Sequence, residues 1–309
     1  MLFGTQRVRD LIYSDLKKIE EENNVVVILG ATVDGVAMGV TKYSSDLDLR
    51  FCFLYKDATV LSCSELHDES KIRIQVKYEQ NAYRPYNAIT LWEAHAFFHF
   101  IVDPQINQGQ KYKLASIVYD TFCSPYLYDP IGLHAMIEPY FYRAYPVENE
   151  ARYLCSQLKA FCEKELFTLA DTMKYLNRYM KLRWIREYKT LPPLSSYSLL
   201  PVQSEMIKGI YESYLEKLNA WSRIQQQNDD WTKDLQIERP DEVCNLIVEA
   251  IKDERSEIDY TLFNKNNKEV ECIFCILQDI RRIAPPQHGG FFWGTEDELL
   301  FHKELVQEI

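Results

Sequence analysis

After one opening helical segment, apolar residues in this chain keep a strand-like spacing up to about residue 80. From Thr90 onward the spacing is helical and does not revert. A period of two buries one face of a strand, and a period of 3.6 buries one stripe of a helix. The switch therefore assigns the two stretches to different architectures. Val8, Leu11, Ile12, Leu16 and Ile19 predict a helix over 6–22. The apolar, β-branched run at 25–29 and the increasingly aromatic run at 47–55 read as buried strands. Residues 72–78 alternate, with Ile72, Ile74, Val76 and Tyr78 opposed to Arg73, Gln75 and Lys77. Helices are expected at 91–102, 111–122, 133–142, 150–165, 168–188, 201–220, 242–253 and 270–283, and a polar loop at 225–240. Pro192 and Pro193 end the longest of these, because proline cannot continue a helix. The expected fold class is α+β, with a small mixed-sheet domain at 1–88 followed by an all-helical domain and C-terminal tail at 89–309.

Charge narrows the partners. Lys and Arg number 35 against 46 Asp and Glu, a formal net charge of −11. That balance argues against a protein that coats a nucleic-acid backbone, whose affinity comes from cations neutralising phosphates. It leaves room for a single nucleotide or a local basic groove. The eight cysteines read as reduced thiols, since a chain of this size needs no disulfide staples. No apolar run approaches the roughly 18 residues needed to cross a bilayer, and residues 1–10 lack a signal-peptide pattern. The expectation is a cytoplasmic protein without a membrane partner; the sequence is silent on oligomeric state.

Glycine locates a site. The chain has only ten, yet Gly30, Gly35 and Gly39 fall within ten residues. Gly30 and Gly35 have the spacing of a P-loop, but Val36-Ala37 stands where Lys-Ser/Thr is required. G-x-G-x-x-G does not occur there either. Shortly after the glycines comes Ser45-Asp46-Leu47-Asp48-Leu49-Arg50. On a strand Asp46, Asp48 and Arg50 share a face, with the carboxylates about 6–7 Å apart. Such a pair repels unless a cation sits between, and its hard oxygens suit Mg²⁺ or Mn²⁺. A glycine turn for phosphate followed by an Asp-x-Asp strand suits phosphoryl or nucleotidyl transfer.

Gly35-Val36-Ala37-Met38-Gly39, five further residues and then Ser45-Asp46-Leu47-Asp48-Leu49-Arg50 resemble the signature of the DNA polymerase beta type nucleotidyltransferase superfamily. The likeness is closest to the predicted nucleotidyltransferases of the RNA repair pathway DNA polymerase beta family. It extends through Trp92-Glu93, Asp103-Pro104, Ser124-Pro125-Tyr126-Leu127-Tyr128, residues 176–179, Arg183-Trp184-Ile185 and Pro192-Pro193, covering about 25–200. The resemblance implies a polymerase beta-like catalytic domain followed by a helical domain that forms the other wall of a cleft. It implies Asp46 and Asp48 as catalytic metal ligands for Mg²⁺ or Mn²⁺, Gly35, Gly39 and Ser45 at the phosphates, and Arg50 as a charge-balancing neighbour. It implies ATP or another NTP as donor, pyrophosphate as product, and an acceptor hydroxyl on RNA, protein or a small molecule, with RNA repair as the family association.

Two departures motivate an alternative, a degenerate nucleotide- or partner-binding module. Gly35 takes the place of the family's phosphate-contacting Ser, with Gly30-Ala31 as a substitute if the loop is longer. The family's third carboxylate falls on Ala88, with Glu79 the nearest acidic candidate. Lys174, Arg178, Lys181, Arg183 and Arg186 form a basic helix that either faces solvent or contacts phosphate, with Lys174 and Arg178 the candidate contacts. His95 and His99 lie among phenylalanines and read as core or boundary residues rather than a zinc pair. Cys272-x-x-Cys275 lacks a second pair. The aromatic stretch 289–294 reads as a docking segment, followed by a short acidic helix.

Overall fold

The computed structural model describes residues 6–33, 35, 37–39, 47–56, 68–79, 84–101, 108–125, 127–228, 235–257 and 267–282. The architecture is mixed α+β. α1 (Gln6–Asn23) is followed by β1 (Val25–Val33), β2 (Asp48–Tyr55), a single turn α2 (Glu69–Ile72), β3 (Arg73–Lys77) and β4 (Ala88–Glu93). Helices α3 (Ala94–His99) and α4 (Gln108–Phe122) come next, then β5 (Leu127–Tyr128). The remainder is helical: α5 (Leu133–Ala144), α6 (Val147–Cys162), α7 (Leu169–Tyr188), α8 (Ser196–Leu199), α9 (Glu205–Asn228), α10 (Asp241–Glu257) and α11 (Asn267–Arg282). Two short strands, β6 (Phe167–Thr168) and β7 (Gln236–Ile237), pair antiparallel within it. Among the described residues no helix is long and apolar enough to cross a membrane.

The five-stranded sheet has the order β3-β4-β2-β1-β5, with β2 and β4 parallel and the other pairs antiparallel. α1 covers one face. Its stripe of Val8, Ile12, Leu16 and Ile19 packs with Val25, Val27, Leu49, Phe51, Phe53, Ile89 and Leu91, all buried. The other face carries Leu29, Cys52 and Trp92 into a second core shared with α3 to α11. A bulge between Val27 and Leu29 shifts which residues of β1 face α1.

The fold corrects two expectations from the sequence. The stretch 91–102 is not one helix: β4 runs to Glu93, and α3 starts only at Ala94. Paired on both sides by β2 and β3, Leu91 and Trp92 are held as strand, a tertiary choice that a short apolar run leaves open. The division at residue 88 accordingly falls where β4 begins, and Leu127–Tyr128 adds a further strand from among the helices. The polar loop over 225–240 is also interrupted, since α9 continues to Asn228 and Gln236–Ile237 pairs as β7. The segment 289–309 lies outside the described residues, as do Val36, Ser45 and Asp46.

Candidate active site

Register fixes the centre of the site. Val33, the last residue of β1, pairs with Asp48, the first of β2. The connection 34–47, which carries Gly35 and Gly39, therefore crosses the same sheet end at which Asp48 stands. Gly39 has φ of +68°, and a Cβ there would come within 2.8 Å of the Tyr197 ring. Both facts require glycine. Ala37 and Met38 are buried, and the Met38 carbonyl accepts from the Ser196 N–H at 2.8 Å. The glycine loop is thus docked on the start of α8. Gly30 is not part of a phosphate turn. It lies inside β1, and a Cβ would sit 1.9 Å from Phe51 Cδ1, so it makes room for a ring in the α1-side core.

Along β2, Asp48, Arg50 and Cys52 share one face while Leu49, Phe51 and Phe53 are buried toward α1. The Arg50 guanidinium donates to Asp48 Oδ2 at 2.8 Å. The Asp48 side chain keeps 42% of its surface exposed, so it remains accessible to a ligand. The other arm of Arg50 reaches Asp120 Oδ2 of α4 at 3.9 Å, and Lys181 Nζ of α7 lies 3.8 Å from Asp120 Oδ1. Behind them Glu150 of α6 accepts from the Tyr145 hydroxyl at 3.0 Å. A chain of alternating charge thus runs from the sheet end into the helical core.

Burial sets the electrostatics of its inner end. Glu150 and Lys181 are each only 1% exposed. Burial pushes the Glu150 carboxyl up to about 7, and the charge of Asp120 adds to the effect, while Lys181 and hydrogen bonds from Tyr145 and Ser116 oppose it. Burial pushes Lys181 down, against the pull of Asp120 and Glu150. Both shifts have one cause: a charge without water is expensive even when paired.

The basic helix divides. Lys174, Arg178 and Lys181 follow the i, i+4, i+7 spacing of one stripe. Lys181 turns inward to Asp120, and Arg178 lies over the Tyr175 ring at 4.6 Å. Arg178 and Arg50 both act on the Tyr153 hydroxyl and oppose the rise that burial imposes on it. Lys174 is half-buried. Arg183 and Arg186 face α10 instead, where an Arg186 guanidinium nitrogen bonds the Ala250 carbonyl and both arginines line a small cleft with Glu249.

Among the described residues a third carboxylate does not stand beside Asp48. Leu49 pairs with Ile89, and one step back the same parallel register places Ala88 next to Asp48. Glu79 is no substitute: it is exposed, follows the edge strand β3, and is separated from β2 by β4, roughly 10 Å at the usual strand spacing. Glu93 is fully buried and serves the fold, accepting from the Ala96 N–H at 3.0 Å to cap α3 and contacting His95 Nδ1 at 3.1 Å. The His95 and His99 rings both lie beside Phe274 of α11. Cys272 and Cys275 are exposed on α11.

For a divalent cation, the donor set among the described residues reduces to Asp48. No group of three His, Cys, Asp or Glu there comes together to hold a metal ion. Asp46 would have to supply the second carboxylate. A cleft of about 650 Å³, whose lining does not include Asp48, opens between the turn after α4 and the segment 191–198.

Asp120, Glu150 and Lys181 are not separable from their neighbours in the sequence as site residues. Asp120 and Glu150 sit in ordinary amphipathic helices. Lys181 is flanked by Met180 and Leu182, which is the one local sign that it points inward. No known protein-family model matches the chain, and the curated proteins hold no significant match to it.

Proposed function

We propose that this protein binds a nucleoside triphosphate at the sheet end marked by Asp48 and transfers its nucleoside monophosphate to an acceptor hydroxyl, releasing pyrophosphate. The observation that carries the reading is the pairing of Val33 with Asp48, which brings the two ends of the glycine connection to one point with Asp48 at its exit. Arg50 pairs with Asp48 at the sheet end, and Arg178 of α7 acts together with Arg50 on the Tyr153 hydroxyl. Among acceptors the resemblance favours an RNA end.

Asp48 fits a role as metal ligand because its carboxylate is half-exposed and faces away from the α1 core. With Asp46 it would hold Mg²⁺ or Mn²⁺. When bound, that cation would neutralise phosphate charge and polarise the reacting phosphorus. The other tasks fall to the chain. Backbone N–H groups around Gly35 and Gly39 cradle the outer phosphates. Ser45 would orient Asp46 or contact phosphate. Arg50, steadied between Asp48 and Asp120, balances charge at the sheet end. Lys174 and Arg178 meet the triphosphate from α7. With Ala88 in the third-carboxylate place, Asp46 or Asp48 must itself accept the hydroxyl proton.

A second reading is a degenerate module that binds nucleotide without turnover. Ala88 beside Asp48 and the Arg50–Asp48 ion pair favour it. The two are separated by tracing α-phosphate label from each of the four NTPs, with Mg²⁺ or Mn²⁺, onto RNA and onto protein. Label lost in a folded Asp46→Ala, Asp48→Ala double variant supports transfer. Tight NTP binding without label supports the module, and no NTP binding at all sinks both readings.

A further inference from the structure

We propose that the cleft between the turn after α4 and the segment 191–198 receives the base and ribose of the donor nucleotide. The inference rests on the reading of the glycine loop as the phosphate site and adds where the rest of the nucleotide goes.

Buried hydrogen bonds prebuild the cleft. On one wall the Ser124 hydroxyl donates to the Thr32 carbonyl of β1 at 2.6 Å. On the other, the Tyr119 hydroxyl donates to the Pro192 carbonyl at 2.7 Å, and Asn177 donates to the Leu194 carbonyl at 3.1 Å and to Ser196 Oγ at 2.9 Å. Ser196 in turn donates its backbone N–H to the Met38 carbonyl of the glycine loop. Ser195, a wall residue, places its Oγ 3.5 Å from where a Cβ on Gly39 would be. The cleft therefore abuts the glycine loop through one rigid segment.

Its chemistry suits a flat, uncharged ring. Tyr142 and Trp184 line it, and Tyr142 is 48% exposed. The Trp184 indole N–H is engaged by Thr190 at 3.2 Å. Among the described residues no carboxylate, lysine or arginine lines the cleft. Cys123 stays a neutral thiol, because burial pushes it up to about 12. His134 is occupied, with Nε2 3.0 Å from the Phe122 carbonyl and its ring stacked on Phe122. Ser195 and Ser198 add hydroxyls that can bond a ribose or a base edge. Phosphate would find no cation on these walls, whereas base stacking on an aromatic side chain is favourable for every base. The volume of about 650 Å³ is that of a small-molecule site.

The test is titration calorimetry of the full chain with Mg²⁺ and ATP, GTP, CTP or UTP, and separately with inorganic tripolyphosphate. Wild type is compared with Tyr142→Ala, which removes a ring, and with Ser198→Trp, which fills the exposed rim. The expected result is NTP affinity lowered about tenfold by Tyr142→Ala and at least as much by Ser198→Trp, with tripolyphosphate affinity unchanged. Unchanged tripolyphosphate binding also certifies that each variant is folded. NTP affinity equal to wild type in both variants overturns the base site and leaves the phosphate site standing. If wild type binds neither NTP nor tripolyphosphate, the phosphate reading fails and the base site fails with it.

Discussion

Glu150 offers the sharpest physical test, because its environment predicts an inverted response to pH. The perturbation is Glu150→Gln, which keeps the shape and an oxygen to accept from the Tyr145 hydroxyl. In the unfolded chain the carboxyl titrates at its ordinary 4.5, and in the folded protein at about 7. The folded state therefore holds the proton more tightly. The associated stability is fully present below pH 4.5 and is lost as pH rises through 7. Each pKa unit is worth about 1.4 kcal/mol, so the wild type loses about 3 kcal/mol from this group across that window. Glutamine does not titrate. The variant should gain on the wild type by about 3 kcal/mol between about pH 4.5 and pH 8.

Asp120, Lys181, Tyr145 and Ser116 face Glu150 and remain in both proteins. Burial pushes Lys181 down and Tyr145 up, and both groups are present in wild type and variant alike. Histidines elsewhere contribute equally to both proteins and cancel in the difference. The assay is urea unfolding of wild type and variant at four or five pH values, read as the difference in unfolding free energy. A difference that stays flat from about pH 4.5 to 8, or that favours the wild type as pH rises, refutes the argument that burial dominates at this site.

Lys181→Met leaves Asp120 and Glu150 without their shared cation; it should cost about 3 kcal/mol at pH 8 and less at pH 5, where Glu150 is protonated, as read by the same unfolding series. Gly30→Ala must displace the Phe51 ring and should destabilise by about 1–3 kcal/mol, with Phe51→Leu recovering part of the loss in a double-mutant cycle. Gly39→Ala combines a left-handed backbone with contact on Tyr197 and should cost more than about 1 kcal/mol; a thermal shift below about 1 °C would remove that glycine's structural role.

Local geometry accounts for the parts of the fold that are legible in the sequence. The α1 stripe and the apolar run of β1 bury neighbours within a few positions of one another, so a spacing in the chain is a spacing in space. β4 escapes such a reading because Leu91, Trp92, Ala94, Ala96, Phe97 and Phe98 are all apolar whichever state is adopted, and only pairing with β2 and β3 decides where strand ends. Two-residue β5 is illegible, since its partner residues lie almost a hundred positions earlier. The charge chain from Asp48 to Glu150 is equally hidden. Asp48 and Arg50 stand out in the sequence, but Asp120, Lys181 and Glu150 come from α4, α7 and α6, and nothing in the sequence joins them to β2.

Ala88 is where the resemblance expects a further carboxylate, and the parallel pairing of β2 with β4 sets Ala88 beside Asp48 on the same face, so the position can be tested. Ala88→Asp would place two carboxylates about 5 Å apart across neighbouring strands. Without a cation they repel, and Arg50 can neutralise only one of them at close range. The variant should therefore melt below the wild type at pH 7 in chelator, by a few degrees for a loss of about 1 kcal/mol. Mg²⁺ or Mn²⁺ should recover that loss, because a cation bound to the native state alone stabilises it in proportion to its occupancy. A variant that melts low in chelator and rises with Mn²⁺ more than the wild type does would support a metal-competent sheet end from which one ligand has been removed. An equal response of both proteins to Mn²⁺ would mean that the Asp48 end does not gather cations, and the degenerate module would be the better reading.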